Sequence, residues 1–517
     1  MASLRGEERD ALRTVSRASY ANPFSEARSA LDHELTGQRE GPGQVEQLMA
    51  VVEARLYDLS ARDALDPARL PADDWALVES AVLFECFHRH AQQLDTLVAA
   101  QLEGGARPVP VPFADEALGR MTSRGVSPGR AVRMLAVFWQ LRRAYHFIVG
   151  RLVGVSPCMR RLREALWNAV FTHDMARFEE QLWDRLEDFS VLLLGETGTG
   201  KGQAAAAIGR SGFIPFDEAA GAFAVSFAEL FVPLNLGQFP TGLLESELFG
   251  HRRGAFTGAV DAHEGVFARC GRHGAIFLDE IGEVEPPVQI KLLRVLQERV
   301  YTPVGSHEER RFEGRVLAAT HRDLTRLRRD GRFRDDLFYR LVSDEILVPP
   351  LRQRLAEDPA ELTVLVESLV ARVLGAPDGG VAAAVRDAIA AGVAADHRWP
   401  GNVRELEQCV RRVLLTGRPG PGAPSAEDPT EAFLDGVRRG AYEARELTQR
   451  YCALLHERHG TYEEVARRTG LDRRTVRKYV QEAAEDGGTG AGPRGRREGG
   501  RRGEGPRDLP RIAEPGD

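Results

Sequence analysis

"VLLLGETGTGKG", Val191 to Gly202, decides the fold. A run of apolar residues of strand length leads directly into Gly195, Gly198 and Gly200, and "QAAAAIGR" beyond it is a good helix former. The G-x-x-x-x-G-K spacing lets successive backbone N–H groups converge on phosphate oxygens at a helix N-terminus. Gly195, Glu196, Thr197, Gly198, Thr199, Gly200, Lys201 and Gly202 are therefore the candidate ATP-binding residues, with Lys201 reaching the β and γ phosphates. Gly202 stands where this motif has Ser or Thr, so Mg2+ must rely on the nucleotide, on waters and on another carboxylate. The competing reading is a chance glycine-rich turn.

Outward from this loop, "LFVPL", "AIFL", "RVLAA" and "DEILV" are also strand-length apolar runs separated by helical stretches. Alternating strands and helices predict a mostly parallel sheet covered on both faces, with ligands at the carboxyl ends of its strands. Four runs end at Gly195, Asn235, Asp279 and Thr320, the last followed by His321. An Asp at position 279 can hold Mg2+ through water, and Glu280 beside it can orient the attacking water. Alone, an apolar run ending in "DE" also fits a solvated turn.

At 517 residues, with 43% hydrophobic and 28% charged residues and a net charge of -7, the chain has the balance of a soluble multidomain enzyme. No run approaches the roughly 18 apolar residues of a membrane span. "MASLRGEERDALR" lacks the apolar core of a signal peptide, and five singly placed cysteines suit a reducing cytosol. A cytoplasmic protein without a membrane partner is expected. Residues 1–150 read as a helical regulatory region of unreadable type and 155–350 as the α/β ATPase core. Residues 351–417 read as a helical lid, 418–430 as a Pro/Gly-rich linker, 431–486 as a helical module, and 487–517 as a disordered Gly/Arg-rich tail.

"LFGHRRGAFTGAVDAHEG" (Leu248–Gly265) is too rich in glycine for a regular element, yet Phe256 sits in its middle. With "GETGTGKG", "AIFLDEIGE", "AATHRDL", "GRFRDDLFYRL", "VPPLRQR" and "WPGNVREL", it resembles the AAA+ ATPases that activate bacterial sigma-54 RNA polymerase. The likeness covers roughly residues 155–415, and its most specific element is GAFTGA, Gly254, Ala255, Phe256, Thr257, Gly258 and Ala259. The resemblance implies an AAA+ P-loop fold with a helical lid and ATP hydrolysis with Mg2+. It also implies a homo-oligomeric ring, a hexamer, that remodels the sigma-54 holoenzyme through this loop. It makes Asn235 the switch for Glu280, puts Thr320 and His321 at the sensor position, and assigns Arg334 and Arg340 as fingers reaching a neighbour's nucleotide. Arg404 matches the lid arginine that senses the γ-phosphate. Blander readings are a salt bridge from Arg334 or Arg340 to Asp335 or Asp336, a capping box from Asn402 to Glu405 that leaves Arg404 facing solvent, and Phe256 as a staple in its own domain. "SGFIPFDEAAGAFAVSF" and "FTHDMARFEEQLWDRLEDF" are longer than the family usually carries, and Leu236 replaces its Cys.

"TYEEVARRTGLDRRTVRKYVQE" (Thr461–Glu482) reads as a helix-turn-helix. Thr461 and Glu464 have capping-box spacing, Gly470 sits at the turn, and Asp472 can cap the second helix. Arg473, Arg474, Thr475, Arg477 and Lys478 would meet double-stranded upstream DNA, unless the module is merely a solvated hairpin. In "FECFHRH", Cys86, His88 and His90 are close enough to ligate a metal or haem, but a core face is the commoner use. Competing functions are an AAA+ protein remodeller not tied to sigma-54, or a DNA-binding regulator with a degenerate ATPase site.

Overall fold

The computed structural model of the protein describes residues 4–37, 44–62, 65–420, 429–438 and 440–486. Most of the expected linker and all of the Gly/Arg-rich tail lie outside the described residues. The chain divides into two compact units, Met1–Pro421 and Gly422–Asp517.

Every strand-length run found in the sequence becomes a strand of one five-stranded parallel sheet: β1 Val191–Leu194, β2 Phe231–Asn235, β3 Ala275–Asp279, β4 Arg315–Thr320 and β5 Asp344–Leu347, in the order β2-β3-β4-β1-β5. Side chains alternate between faces with the strand period of 2. Val191, Leu193, Phe277, Leu317 and Ala319 face one core, while Leu192, Ile276, Leu278, Val316 and Ala318 face another. Register aligns the carboxyl ends: Asn235 pairs with Asp279, and Leu194 with both Thr320 and Leu347. The chemically useful residues therefore share one edge of the sheet.

The helical lid is a third cluster, from Leu351 to Val413, built on Leu351–Glu357, Ala360–Leu374, Gly379–Gly392 and Asn402–Thr416.

Helices from Gly6–Tyr20 to Pro128–Arg151 make up the N-terminal region, whose apolar core runs without a break into one face of the sheet. Pro128–Arg151 is the contact element. Its buried Arg143 donates to the carbonyls of Arg210 and Gly212, Gln140 donates to that of Ser211, and Trp139 stacks on Phe223 at 5.1 Å. The unusually long 211–227 segment is thus a platform for the N-terminal helices.

In the second unit, Ala444–His459, Tyr462–Thr469 and Arg473–Asp486 close around Cys452, Leu455, Val465 and Val476. Gly470, at φ 70°, makes the turn, and Asp472 Oδ1 accepts from the N–H groups of Arg474 and Thr475. The expected Thr461–Glu464 capping box does not form. Thr461 makes no side-chain cap, and Glu464 turns to Arg467 and Arg468 instead of the Thr461 N–H. The bond to Arg467 comes first in holding its carboxyl down at about 2.

Candidate functional site

The phosphate loop begins where β1 ends and closes at the Lys201–Gly209 helix. Gly195, Gly198 and Gly200 all have positive φ, and at Gly198 glycine is also a steric requirement. A Cβ there would lie 2.2 Å from the Gly401 carbonyl oxygen, so loop and lid meet backbone to backbone. Lys201 is buried and donates to the carbonyls of Gly195 and Glu196 at 2.8 and 3.0 Å. Burial depresses its ammonium pKa, with Glu280 and Asp279 pulling the other way. Glu196 does not point at the cleft. It pairs with Arg352 at 2.7 Å.

A cleft of about 600 Å³ is lined by Thr197 to Gln203, Asn235, Asp279, Glu280 and, from the lid, Arg354, Val403 and Arg404. Burial, and then Glu280, raise the Asp279 carboxyl from its ordinary value. Glu280 occupies the left-handed region at φ 59°, a conformation that costs about 1–3 kcal/mol for a residue with a side chain and clusters at functional sites. The strain turns its carboxylate toward the strand-end edge, where His321 Nδ1 donates to Oε2 at 2.7 Å.

The bond expected between Asn235 and Glu280 is not formed. Asn235 Oδ1 instead accepts from Gly237 N–H at 3.0 Å, in a local turn that satisfies the strand end. Thr320 is fully buried and its hydroxyl accepts from Arg322 N–H, so His321 is the sensor-position residue that reaches the site edge. Arg334 pairs with Asp336 at 2.6 Å, the blander of its two readings. Arg340 is exposed, and among the described residues its guanidinium makes no hydrogen bond or ion pair. Both stand outside the 600 Å³ cleft.

The blander reading of this segment, a capping box from Asn402 to Glu405, is not what forms. Asn402 is buried at φ 52°, and its side chain ties the lid to the loop rather than capping its own helix. Its Nδ2 donates to Glu196 Oε2 and the Thr197 carbonyl, both at 3.1 Å, and its Oδ1 accepts from Leu351 N–H at 2.8 Å. Glu405 accepts from Gly401 N–H and from His397. Arg404 is exposed but lines the cleft, one residue beyond the bridge. Sequence reading missed Asn402 as a linker, and it missed Glu361. This buried carboxylate accepts from the N–H groups of Val155 and Ser156, fixing the entry to the Pro157–Phe171 helix.

The Gly254–Ala259 loop hangs from the segment joining β2 to β3. It is closed by Gly254 N–H to the Ala259 carbonyl at 2.8 Å and Ala259 N–H to the Phe256 carbonyl at 3.0 Å. Phe256 remains 37% exposed, its ring resting edge-on against His251 at 5.0 Å. Ala259 is turned inward at 7% exposure, so of the six it closes the loop rather than offering a contact. A second loop braces the first: Arg252 N–H donates to the Val304 carbonyl, and a Cβ on Gly305 would strike Ala255 at 2.7 Å. Nothing local in "TPVGS" announces that partnership, which depends on a bridge between His251 and Val304.

In the second unit Arg474, Arg477 and Lys478 are exposed on the last helix, whereas Arg473 pairs with Glu463 at 2.9 Å and Lys478 approaches Glu482 at 3.7 Å. Thr475 is tied to Asp472. Cys86, His88 and His90 turn out to be a packed set. Cys86 is buried with its thiol pushed up to about 12 by burial, and His88 and His90 bond to the carbonyls of Phe84 and Cys86. No cluster able to hold a metal occurs among the described residues.

A glycine loop between strand and helix, a buried lysine and a strand-end carboxylate pair define a P-loop nucleotide site on a parallel sheet. Residues 173–346 match the Sigma-54 interaction domain family. The chain is 36% identical over 356 residues to the Nif-specific regulatory protein of Azotobacter vinelandii, across 66% of this chain and 60% of that protein. It is 33% identical over 369 residues to the DNA-binding transcriptional regulator NtrC of Azospirillum brasilense, across 64% of this chain and 69% of that protein. With the transcriptional regulatory protein ZraR of Klebsiella oxytoca it shares 35% over 341 residues, across 63% and 67%. This chain belongs to the sigma-54-dependent, enhancer-binding activators of the AAA+ family. It spans less than two-thirds of the length of the Azotobacter relative. No helix among the described residues is long and apolar enough to cross a membrane.

Proposed function

We infer that the protein is an ATP-driven transcription activator that binds upstream DNA, closes into a hexameric ring, and remodels the closed complex of sigma-54 RNA polymerase. One observation carries the reading. The exposed aromatic of the Gly254–Ala259 loop is suspended between two strands, and those strands end in Asn235 and in Asp279–Glu280 at the cleft. A shift at the strand ends on nucleotide turnover reaches Phe256 through the segment that joins the two strands.

In this reading the loop N–H groups and Lys201 hold the phosphates of ATP, Lys201 exchanging its bonds to two carbonyls for bonds to phosphate oxygens. Mg2+, when bound, would neutralise charge on the phosphates; Asp279 would hold it, and the nucleotide and waters would complete the donor set because Gly202 offers no hydroxyl. Glu280 orients the attacking water once its bond to His321 yields. Asn235 takes up the restraint of Glu280 after leaving its local turn. Arg404 contacts the γ-phosphate from the lid. Arg340, and Arg334 once released from Asp336, reach the nucleotide of the next subunit, where a guanidinium is worth about 10³ to 10⁵ in rate. The head-to-tail geometry this demands closes as a ring. Exposed Arg474, Arg477 and Lys478 suit phosphates and base edges of duplex DNA.

The test is open-complex formation in vitro with sigma-54 polymerase, comparing the wild type with Thr257→Ala. Open complexes are expected from the wild type alone, with ATP binding equal in both proteins. Equal open-complex yields would remove the role given to the loop.

A further inference from the structure

The N-terminal helices, with Pro157–Phe171, line an open cavity of about 480 Å³ that includes no residue of the phosphate loop. Tyr20, Phe84, Phe87, Phe138, Tyr145 and Trp167 supply its aromatic lining. That size and lining are those of a small-molecule site. Val45, 51% exposed, and Tyr145, 39% exposed, lie on its margin, so an apolar solute meets apolar surface before entering.

Its charges are already spoken for. Arg28 is bonded to Asp32 at 2.8 Å, Arg142 to Asp95 at 2.9 Å, and Glu179 to Arg130 at 2.7 Å. A charged ligand would lose its hydration and find no free counter-ion. His88 supplies a neutral acceptor. His88 Nδ1 donates to the Phe84 carbonyl at 2.9 Å, and burial pushes the imidazole down to about 4, so the ring is neutral. Nε2 then carries a lone pair, and no hydrogen bond to it occurs among the described residues.

The cavity shares its walls with the nucleotide cleft. Pro128–Arg151 lines the cavity through Met134, Phe138 and Tyr145, and its end, Gly150 and Arg151, lines the cleft. Pro157–Phe171 lines the cavity with Trp167 and the cleft with Met159 and Leu162. We propose that this cavity is an effector site for a small, uncharged, largely apolar molecule bearing one hydrogen-bond donor, received by His88 Nε2. Its occupation is coupled through these two helices to nucleotide binding. The coupling rests on the nucleotide reading above; the site does not.

The probe is N-phenyl-1-naphthylamine, neutral and apolar with a single N–H, titrated into the full chain by fluorescence. Saturable binding at one site per chain is expected, and the anionic 1-anilinonaphthalene-8-sulfonate, with the same ring skeleton, is expected to bind at least about tenfold more weakly. Ala91→Trp, which fills the cavity from a partly buried wall position, is expected to abolish binding with the melting transition retained. His88→Phe keeps the ring, removes the acceptor, and is expected to weaken the probe about tenfold. Saturating ATP with Mg2+ is expected to shift the probe affinity about fivefold or more, since linkage is reciprocal. Non-saturable binding, equal affinity for the sulfonate, or an unchanged affinity in folded Ala91→Trp or His88→Phe overturns the site. A probe affinity indifferent to ATP, in protein shown directly to bind ATP, overturns the coupling alone. Failure of ATP itself to bind overturns the nucleotide reading and leaves the site standing.

Discussion

Two glycine-rich loops, Gly195–Gly200 and Gly254–Ala259, use the same residue for opposite ends. The phosphate loop is tied from several directions: Lys201 to its own carbonyls, Glu196 to Arg352, Asn402 to Thr197, and Gly198 against Gly401. Glycine there permits close approach. The second loop is held by two hydrogen bonds of its own and the brace at Gly305, and a Cβ on Gly254 or Gly258 would meet open space. Glycine there permits the positive φ values of 78° and 101°, and nothing crowds the loop into one position. The contrast suits the proposed roles, a phosphate loop that preorganises charge and a second loop that moves.

The largest effect expected from this contrast is at Gly198. Gly198→Ala should abolish ATP binding, because the new Cβ displaces either the loop or Gly401. Gly258→Ala should leave ATP affinity unchanged and cost only about 1 kcal/mol through its positive φ. Isothermal titration of both variants with ATP checks the pair, and comparable losses would erase the distinction. Asn402→Ala is next. Leu351 N–H and the Glu196–Arg352 pair lose their buried partner, so a loss of about 1–3 kcal/mol in stability is expected together with weaker ATP binding. A thermal melt with ATP affinity intact would show that the lid bridge is only structural. Smallest is Gly202→Ser. The new Cβ has ordinary space, 3.9 Å from Phe277, and a hydroxyl joins the donor set for Mg2+. The Mg2+ concentration for half-maximal ATP hydrolysis should fall on the order of twofold. No change would place that position away from the metal.

What the sequence made legible was local. Four of the five strands were visible because their apolar runs stop at a polar or glycine residue, and the phosphate loop because its spacing is a short-range pattern. The departures arise where a side chain chooses among partners far apart in the chain. Asn402 has capping spacing with Glu405, but folding brings Glu196 and Leu351 to it from the loop and the lid's first helix. Glu280 takes His321, forty-one residues on, because β4 lies beside β3 in the sheet. Thr461 and Glu464 have the right spacing as well, yet two neighbouring arginines win the carboxylate. The inward turn of Ala259 follows from a backbone bond that no composition rule encodes. The long 211–227 insertion was visible as an oddity, and only the packing of Trp139 and Arg143 on it explains the length.

The most direct measurement places a photo-crosslinking amino acid at Phe256 and scores crosslinks to sigma-54 in three conditions: no nucleotide, ADP, and ADP with aluminium fluoride as a mimic of the hydrolysis transition state. Crosslinks confined to the transition-state mimic are predicted, since the loop is to be driven outward only when the cleft holds the transferring phosphoryl group. Crosslinking of equal yield in all three conditions, or none in any, would contradict the account.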